Sequence, residues 1–230
     1  MITSMANPKI KQYQKLLKKK YRREYKLFIV EGFNMLEEAQ KNAKVIDVIT
    51  TNEKINGTLV APFIFEKLTD SVSPQPVIGI VKMPKHNPLG KRVLVLNNVQ
   101  DPGNVGTLIR SAKAFGFTDV IVQGVDVYSP KTLRSSQGAI FGINVIQTRD
   151  VVPFLSDYQV IGAMLDKDAQ IYDDIKLQSK FILILGNESQ GVEKKIQKFL
   201  TDKVYIPIDF ESLNVASAGA ILLNQYKKSN

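Results

Sequence analysis

Val93-Leu94-Val95-Leu96-Asn97-Asn98-Val99-Gln100-Asp101-Pro102-Gly103-Asn104-Val105-Gly106 is the stretch on which the fold turns. Four consecutive apolar residues suit a strand buried on both faces, and the polar loop after them enters a helix. That helix carries Leu108, Ala112 and Phe115 at the spacing of one apolar stripe. The same strand-loop-helix unit recurs toward the C-terminus. Strands are expected at 93–96, 120–122, 143–146, 160–165, 181–185 and 204–206. Helical stretches separate them at roughly 105–115, 130–141, 150–157 and 189–200, with a last helix from about 213. Apolar strands alternating with helices predict an α/β domain with a mostly parallel sheet.

Upstream, Lys82-Met83-Pro84-Lys85-His86-Asn87-Pro88-Leu89-Gly90 has two prolines, a glycine and no periodicity, which marks a linker. The chain therefore divides into residues 1–82, a linker at 83–91, and residues 92–230. In the first part, Asn7-Pro8 supplies an N-cap and a proline at the first helical position. Ile10, Tyr13 and Leu17 follow at helical spacing with Leu16 and Tyr21 beside them, so one basic helix should lie on a small core. Phe28-Ile29-Val30-Glu31-Gly32 reads as a strand and turn, 34–41 as a helix, and 45–50 and 77–81 as strands. The expectation is a small α/β domain preceding the larger one.

Charge separates the two parts further. The formal charge is +9, and residues 1–28 hold nine basic side chains against one acid, Glu24, leaving about +1 for everything downstream. Charge this concentrated, interleaved with Tyr13, Tyr21 and Tyr25, is a footprint for a polyanion, because each neutralised phosphate releases condensed counterions. The candidate nucleic-acid contacts are Lys9, Lys11, Lys15, Lys18, Lys19, Arg22 and Arg23.

Composition removes several chemistries. The chain has no cysteine, so disulfides, thiolate nucleophiles and Cys-ligated zinc are excluded. Its one histidine, His86, has no second histidine to share a metal with, and no metal site is expected. No apolar run approaches the ~20 residues of a membrane span. The basic N-terminus lacks the apolar stretch of a secretory signal. A metal-free cytoplasmic protein without a membrane partner is the expectation.

Open parallel sheets bind ligands at loops leaving the carboxyl ends of their strands. Three such loops have unusual composition. The loop quoted at the outset leads to Arg110, which lies off the apolar stripe; by itself Arg110 reads equally as a surface arginine. It lacks the G-x-G-x-x-G fingerprint, which argues against a nucleotide-dependent oxidoreductase. Leu183-Ile184-Leu185-Gly186-Asn187-Glu188-Ser189-Gln190-Gly191 runs from an apolar strand into a glycine-bounded loop, where Glu188 could be only a first-turn charge. Ile206-Pro207-Ile208-Asp209-Phe210-Glu211-Ser212-Leu213-Asn214-Val215-Ala216 leads into a small-residue helix that Ser212 can cap.

The three blocks in this order resemble the SpoU/TrmH family of RNA ribose 2′-O-methyltransferases, of the SPOUT superfamily. The intervening Ser129-Pro130-Lys131-Thr132-Leu133-Arg134-Ser135-Ser136-Gln137-Gly138-Ala139 is similar to that family too. The likeness covers roughly residues 91–228, and residues 1–80 more loosely resemble its ribosomal-protein-like substrate-binding domain. The resemblance implies a deep trefoil knot in the catalytic domain and a homodimer whose motif arginine reaches the partner's site. It implies S-adenosylmethionine held by Gly186, Ile206 and Leu213, with Asn187, Glu188, Gly191 and Ala216 nearby. Arg110 would act at the ribose hydroxyl, with Asn104, Ser212 and Asn214 orienting it and Glu188 holding the loops. Arg134 joins the RNA contacts.

A guanidinium stays protonated, so a phosphate-binding, charge-stabilising role suits Arg110 better than that of a base. Where many family members have Asn-Val-Ser, this chain reads Asn214-Val215-Ala216. Ribosomal RNA is the favoured substrate because of the N-terminal module. Transfer RNA methylation and a non-catalytic RNA-binding protein are the alternatives.

Overall fold

A computed structural model of the chain describes residues 1–227. Helix α1, Pro8–Lys15, starts where Asn7 accepts hydrogen bonds from the N–H groups of Lys9 and Ile10. The expected single basic helix is instead two, because the chain breaks after α1 and resumes as α2, Lys19–Tyr25. The break lets Leu16 reach the core, and Arg22 folds back to donate from Nη1 to the Leu16 carbonyl at 2.7 Å.

Strand β1, Leu27–Glu31, is followed by α3, Phe33–Asn42, β2, Val45–Thr50, and β3, Thr58–Leu59. Then come α4, Pro62–Glu66, and β4, Val77–Lys82. The four strands form one sheet in the order β1-β4-β2-β3. Alternation along β1 decides how this part is used. Leu27 and Ile29 enter the N-terminal core with Ile10, Tyr13, Leu16 and Ile64. Phe28 and Val30 face the other way and join the core of the larger sheet. The Phe28 ring lies 4.6 Å from that of Tyr128, and the Arg22–Asp126 ion pair closes at 2.6 Å beside it.

Residues 83–90 carry no regular structure, yet they are fastened to the sheet that follows. Gly90 N–H donates to Asp119 Oδ2 at 2.8 Å, and Asn144 exchanges two hydrogen bonds with the Asn87 backbone.

The larger part contains β5, Arg92–Asn97, α5, Pro102–Ala114, β6, Asp119–Gln123, α6, Pro130–Ser136, and β7, Asn144–Thr148. It continues with β8, Gln159–Ala163, β9, Gln170–Ile171, β10, Phe181–Leu185, α7, Lys194–Gln197, β11, Asp202–Tyr205, and α8, Val215–Gln225. The sheet order is β7-β6-β5-β10-β8-β11-β9, and every pair in it is parallel. Leu94, Leu96, Leu183 and Leu185 pack on the α5 and α8 side, whereas Val93, Val95, Ile182 and Ile184 pack on the other. That division is why these strands read as unbroken apolar runs.

Three helical expectations shrink. The stretch expected at 130–141 splits at Gln137 and Gly138, both at positive φ, into α6 and a 3-10 turn at Ala139–Gly142. The stretch at 150–157 keeps only the 3-10 turn Val152–Phe154. That at 189–200 reduces to α7, because residues through Glu193 are spent on a loop. Ile206, expected to end a strand at 204–206, lies one residue beyond β11, and residues 228–230 of the C-terminal reading lie outside the described residues.

Candidate functional site

The strand order reverses about β5 and β10, so the loops leaving their carboxyl ends meet at a switch point of the sheet. The loop after β10 is closed on itself by reciprocal hydrogen bonds between the Asn187 and Gly191 backbones, at 3.0 and 2.9 Å. The Asn187 side chain accepts from Ser189 and Gln190 N–H and donates to the Asn98 carbonyl, tying this loop to the one after β5. A Cβ on Gly186 would come within 2.2 Å of Gly191 backbone carbon, so the loop closes only on glycine there.

Glu188 projects from this loop. Its Oε1 accepts from Asn104 Nδ2 at 3.1 Å and its Oε2 from Gln100 N–H at 3.2 Å. Asn104 Oδ1 in turn accepts from Asn214 Nδ2 at 3.2 Å. Three loops distant in sequence are thereby joined through Glu188, Asn104 and Asn214. Burial pushes the Glu188 carboxyl up, but donors from its own backbone, Gln100 and Asn104 outweigh it and hold the group below its ordinary value. The carboxylate is charged and already occupied as an acceptor.

Asn104 stands in the first turn of α5, where Asp101 caps the helix by accepting from Asn104 N–H at 3.0 Å. A hydrogen bond from Lys131 Nζ at 2.5 Å, with the backbone donor, keeps the Asp101 carboxyl below the usual range. Asn214 caps α8 by accepting from the N–H groups of Ala216 and Ser217. The cap is therefore Asn214 and not Ser212, which is exposed two residues earlier. Ala216 contributes its N–H to this cap, a bond that needs no hydroxyl at that position.

Beside the joined loops lies an apolar cleft of about 190 Å³, walled by Ala163, Leu165, Ile206, Ile208, Ser212, Leu213 and Leu222. Ile206, Ser212 and Leu213 were expected at the site; the Ala163–Leu165 wall was not. Its signal is in the sequence, because the apolar run 160–165 outlasts β8 by two residues and leaves Leu165 exposed. A second omission is the polar set beneath the cleft loops. Glu193 N–H donates to Asn97 Oδ1 at 2.8 Å, and its carboxylate accepts from Asn98 and Gln123. Buried Asn97 and Gln123 at strand ends, bonded to each other at 3.1 Å, are what this set is built on.

Arg110 is not part of this cluster. It is exposed on the far part of α5 and opens onto a groove shared with α3 and the Gln137–Gly138 turn. No hydrogen bond or ion pair ties its guanidinium among the described residues.

The N-terminal cations divide. Lys11, Lys15, Lys18, Lys19 and Arg23 are exposed, and Lys15 and Lys20 flank the Tyr21 ring at 5.4 and 5.6 Å. Lys9 is partly engaged, pairing with Asp47 at 2.7 Å. Arg22 is corrected from an RNA contact to a buried structural residue, 4% exposed and held by Leu16 and Asp126. Arg134 pairs with Asp70 across the two sheets' domains at 3.1 Å. Among the described residues no cluster of acidic or histidine side chains could hold a metal.

A parallel sheet with a loop-bound cleft at its switch point, joined to a basic module, defines an α/β nucleic-acid-modifying enzyme. The chain belongs to the SpoU rRNA methylase family, whose model matches residues 91–224. Residues 7–79 match the MRM3-like substrate-binding domain. The 23S rRNA (guanosine(2553)-2′-O)-methyltransferase RlmP of Bacillus subtilis is 33% identical, over 96% of this chain and 97% of that protein. Among solved structures, a TrmH-family protein from Porphyromonas gingivalis superposes with a TM-score of 0.87 and 29% identity, over 97% of this chain and 98% of that one. An AdoMet-bound rRNA methyltransferase from Sinorhizobium meliloti gives 0.84 and 27%, over 97% and 95%.

Proposed function

We propose that the chain transfers a methyl group from S-adenosylmethionine to a ribose 2′-hydroxyl of 23S ribosomal RNA, working as a homodimer. The observation that carries the reading is the pair of fates along α5: Asn104 binds the cleft loops together, while Arg110 on the same helix is free and faces elsewhere.

The cleft suits the cofactor. Ile206, Leu213, Ala163 and Leu165 offer apolar walls to an adenine ring, while Gly186, Asn187, Glu188 and Gly191 stand in the neighbouring loop and do not line the cleft itself. When bound, S-adenosylmethionine supplies a sulfonium-activated methyl group. The chain must then hold the hydroxyl oxygen in line with that carbon, and positioning of this kind accounts for much of such a rate. Arg110 stays protonated; it grips a phosphate next to the target ribose and stabilises negative charge growing on the 2′-oxygen. The hydroxyl proton goes to that phosphate or to water. Glu188 is ionised and fully used in loop bonds, so it acts as a clamp on the cleft and not as the base.

A second copy of the chain supports this arrangement. Leu165, Ile208, Phe210, Leu213 and Ile221 leave an exposed apolar rim at the cleft, a surface that a partner subunit would cover. Arg110 would enter the partner's cleft, since it faces away from its own. The placing of β10 between β5 and β8, with α8 returning onto α5, suits a C-terminal segment drawn through a knot. The basic face of Lys11, Lys15, Lys18, Lys19 and Arg23 would run along the RNA backbone. The N-terminal match and the names of the relatives favour ribosomal over transfer RNA.

The test is methyl transfer from labelled S-adenosylmethionine to ribosomal RNA purified from cells lacking the gene, with the ribose methylations mapped. Label at a single ribose of 23S rRNA is expected. No calorimetric binding of S-adenosylmethionine would overturn the reading.

A further inference from the structure

We infer that the groove beside Arg110 reads the target base and that Glu38 selects guanine there; this rests on the ribose methylation proposed above. The groove measures about 610 Å³, within the range of small-ligand sites and large enough for a nucleotide. Its two walls differ in character. Arg110 and Lys113 of α5 form a cationic wall, and Asn34, Glu37 and Glu38 of α3 form a wall of acceptors and an amide. A nucleotide divides the same way. Its phosphate and ribose belong against Arg110 and Lys113, which turns the base edge toward α3.

A carboxylate accepts hydrogen bonds and donates none. Guanine is the one RNA base whose Watson–Crick edge offers two adjacent donors, N1–H and the N2 amino group. Adenine and cytosine place an acceptor nitrogen beside their amino group, and uracil flanks its single N–H with two carbonyls, so each would set lone pairs against the carboxylate.

Of the two acids, Glu37 makes the shorter ion pair with Lys41, at 2.7 Å, and Glu38 is the one packed into the groove wall. Its side chain is 33% exposed against 65% for Glu37. It lies on Gly138, where an added Cβ would come within 2.9 Å of its Cγ and where φ is +83°. Lys41 Nζ approaches Glu38 Oε1 at 3.3 Å, and no hydrogen bond is made to Oε2 among the described residues. Every part of this reader is on the same chain as Arg110, so the subunit that supplies the arginine would also choose the nucleotide.

The experiment uses the full chain, S-adenosylmethionine and 23S rRNA transcripts in which the mapped target nucleotide is varied. The methylated ribose should carry guanine. Replacing that guanosine by inosine, which lacks only the N2 amino group, should lower kcat/KM about tenfold, and adenosine should lower it further. In Glu38→Gln the preference for guanosine over inosine should collapse to about twofold, while Glu38→Asp, which keeps the carboxylate, should retain the order. A target base other than guanine, or an undiminished preference in folded Glu38→Gln, would overturn the inference and leave the methyltransferase reading standing. Failure to methylate any RNA would overturn both.

Discussion

Asn104 and Arg110 lie six residues apart on α5, and the chain treats them in opposite ways. Six residues carry about 9 Å of rise and about 240° of rotation, so the two side chains leave the helix in different directions. Asn104 is bonded on both sides, to Glu188 and to Asn214, and its neighbourhood is complete within one chain. Arg110 makes no ion pair among the described residues and opens on a groove whose opposite wall carries Glu37 and Glu38. A bonded polar residue at a loop junction fixes a site; a long cation left free beside a groove waits for a ligand. One helix therefore presents one residue to the loop junction and the other to a separate groove.

The largest expected effect follows from breaking the free end. Arg110→Ala should lower methyl transfer by at least about a hundredfold, as loss of a charge-stabilising donor does, with calorimetric S-adenosylmethionine affinity unchanged. Equal loss of cofactor binding would erase the contrast between the two ends. The N-terminal arginines repeat the contrast at closer range, since Arg22 is buried in an ion pair and Arg23 is exposed. Arg22→Ala should cost about 3 kcal/mol in denaturant unfolding by stranding Asp126. Arg23→Ala should leave stability alone and reduce the salt slope of RNA binding by about 1.

Asn104→Ala should be milder than Arg110→Ala and act on the other ligand. Removing its bond to the charged Glu188 should weaken S-adenosylmethionine about tenfold in titration. The smallest effect concerns pH. The Glu188 carboxyl is held below its ordinary value in the folded chain, so its contribution is complete above the unfolded value and lost only as pH falls through the folded one. The Tm difference between the parent and Glu188→Gln should be flat from neutral pH to about 5 and shrink in stronger acid. A difference that shrinks near neutrality would contradict the bonding described here.

Both kinds of residue could be named from sequence, but not told apart. Period and composition sufficed for the parallel sheet, since strands buried on two faces have no polar residue to interrupt them. The split of the basic helix was not legible, because Arg22 is pulled inward by Asp126, far along the chain, and Leu16 by the N-terminal core. The same holds for the cap of α8. Ser212 and Asn214 are both good caps by type, and only the path of the loop decides for Asn214. Charge pattern exposed the basic surface but counted Arg22 in it, since burial is a property of the fold and not of the run. The Asn97–Gln123–Glu193 set escaped notice because its members are unremarkable singly and meet only at strand ends.

The central claim is that Arg110 completes a site on another copy of the chain, and mixed dimers test it most directly. Arg110→Ala would be paired with Leu165→Glu, a substitution at an exposed cleft residue that should exclude the cofactor. Each variant alone should be inactive. If Arg110 acts across the interface, each mixed dimer holds one site with an intact cleft and an intact arginine, and methyl transfer should return. Mixed dimers as inactive as either parent would place Arg110 and the cofactor in the same subunit's site and contradict the account.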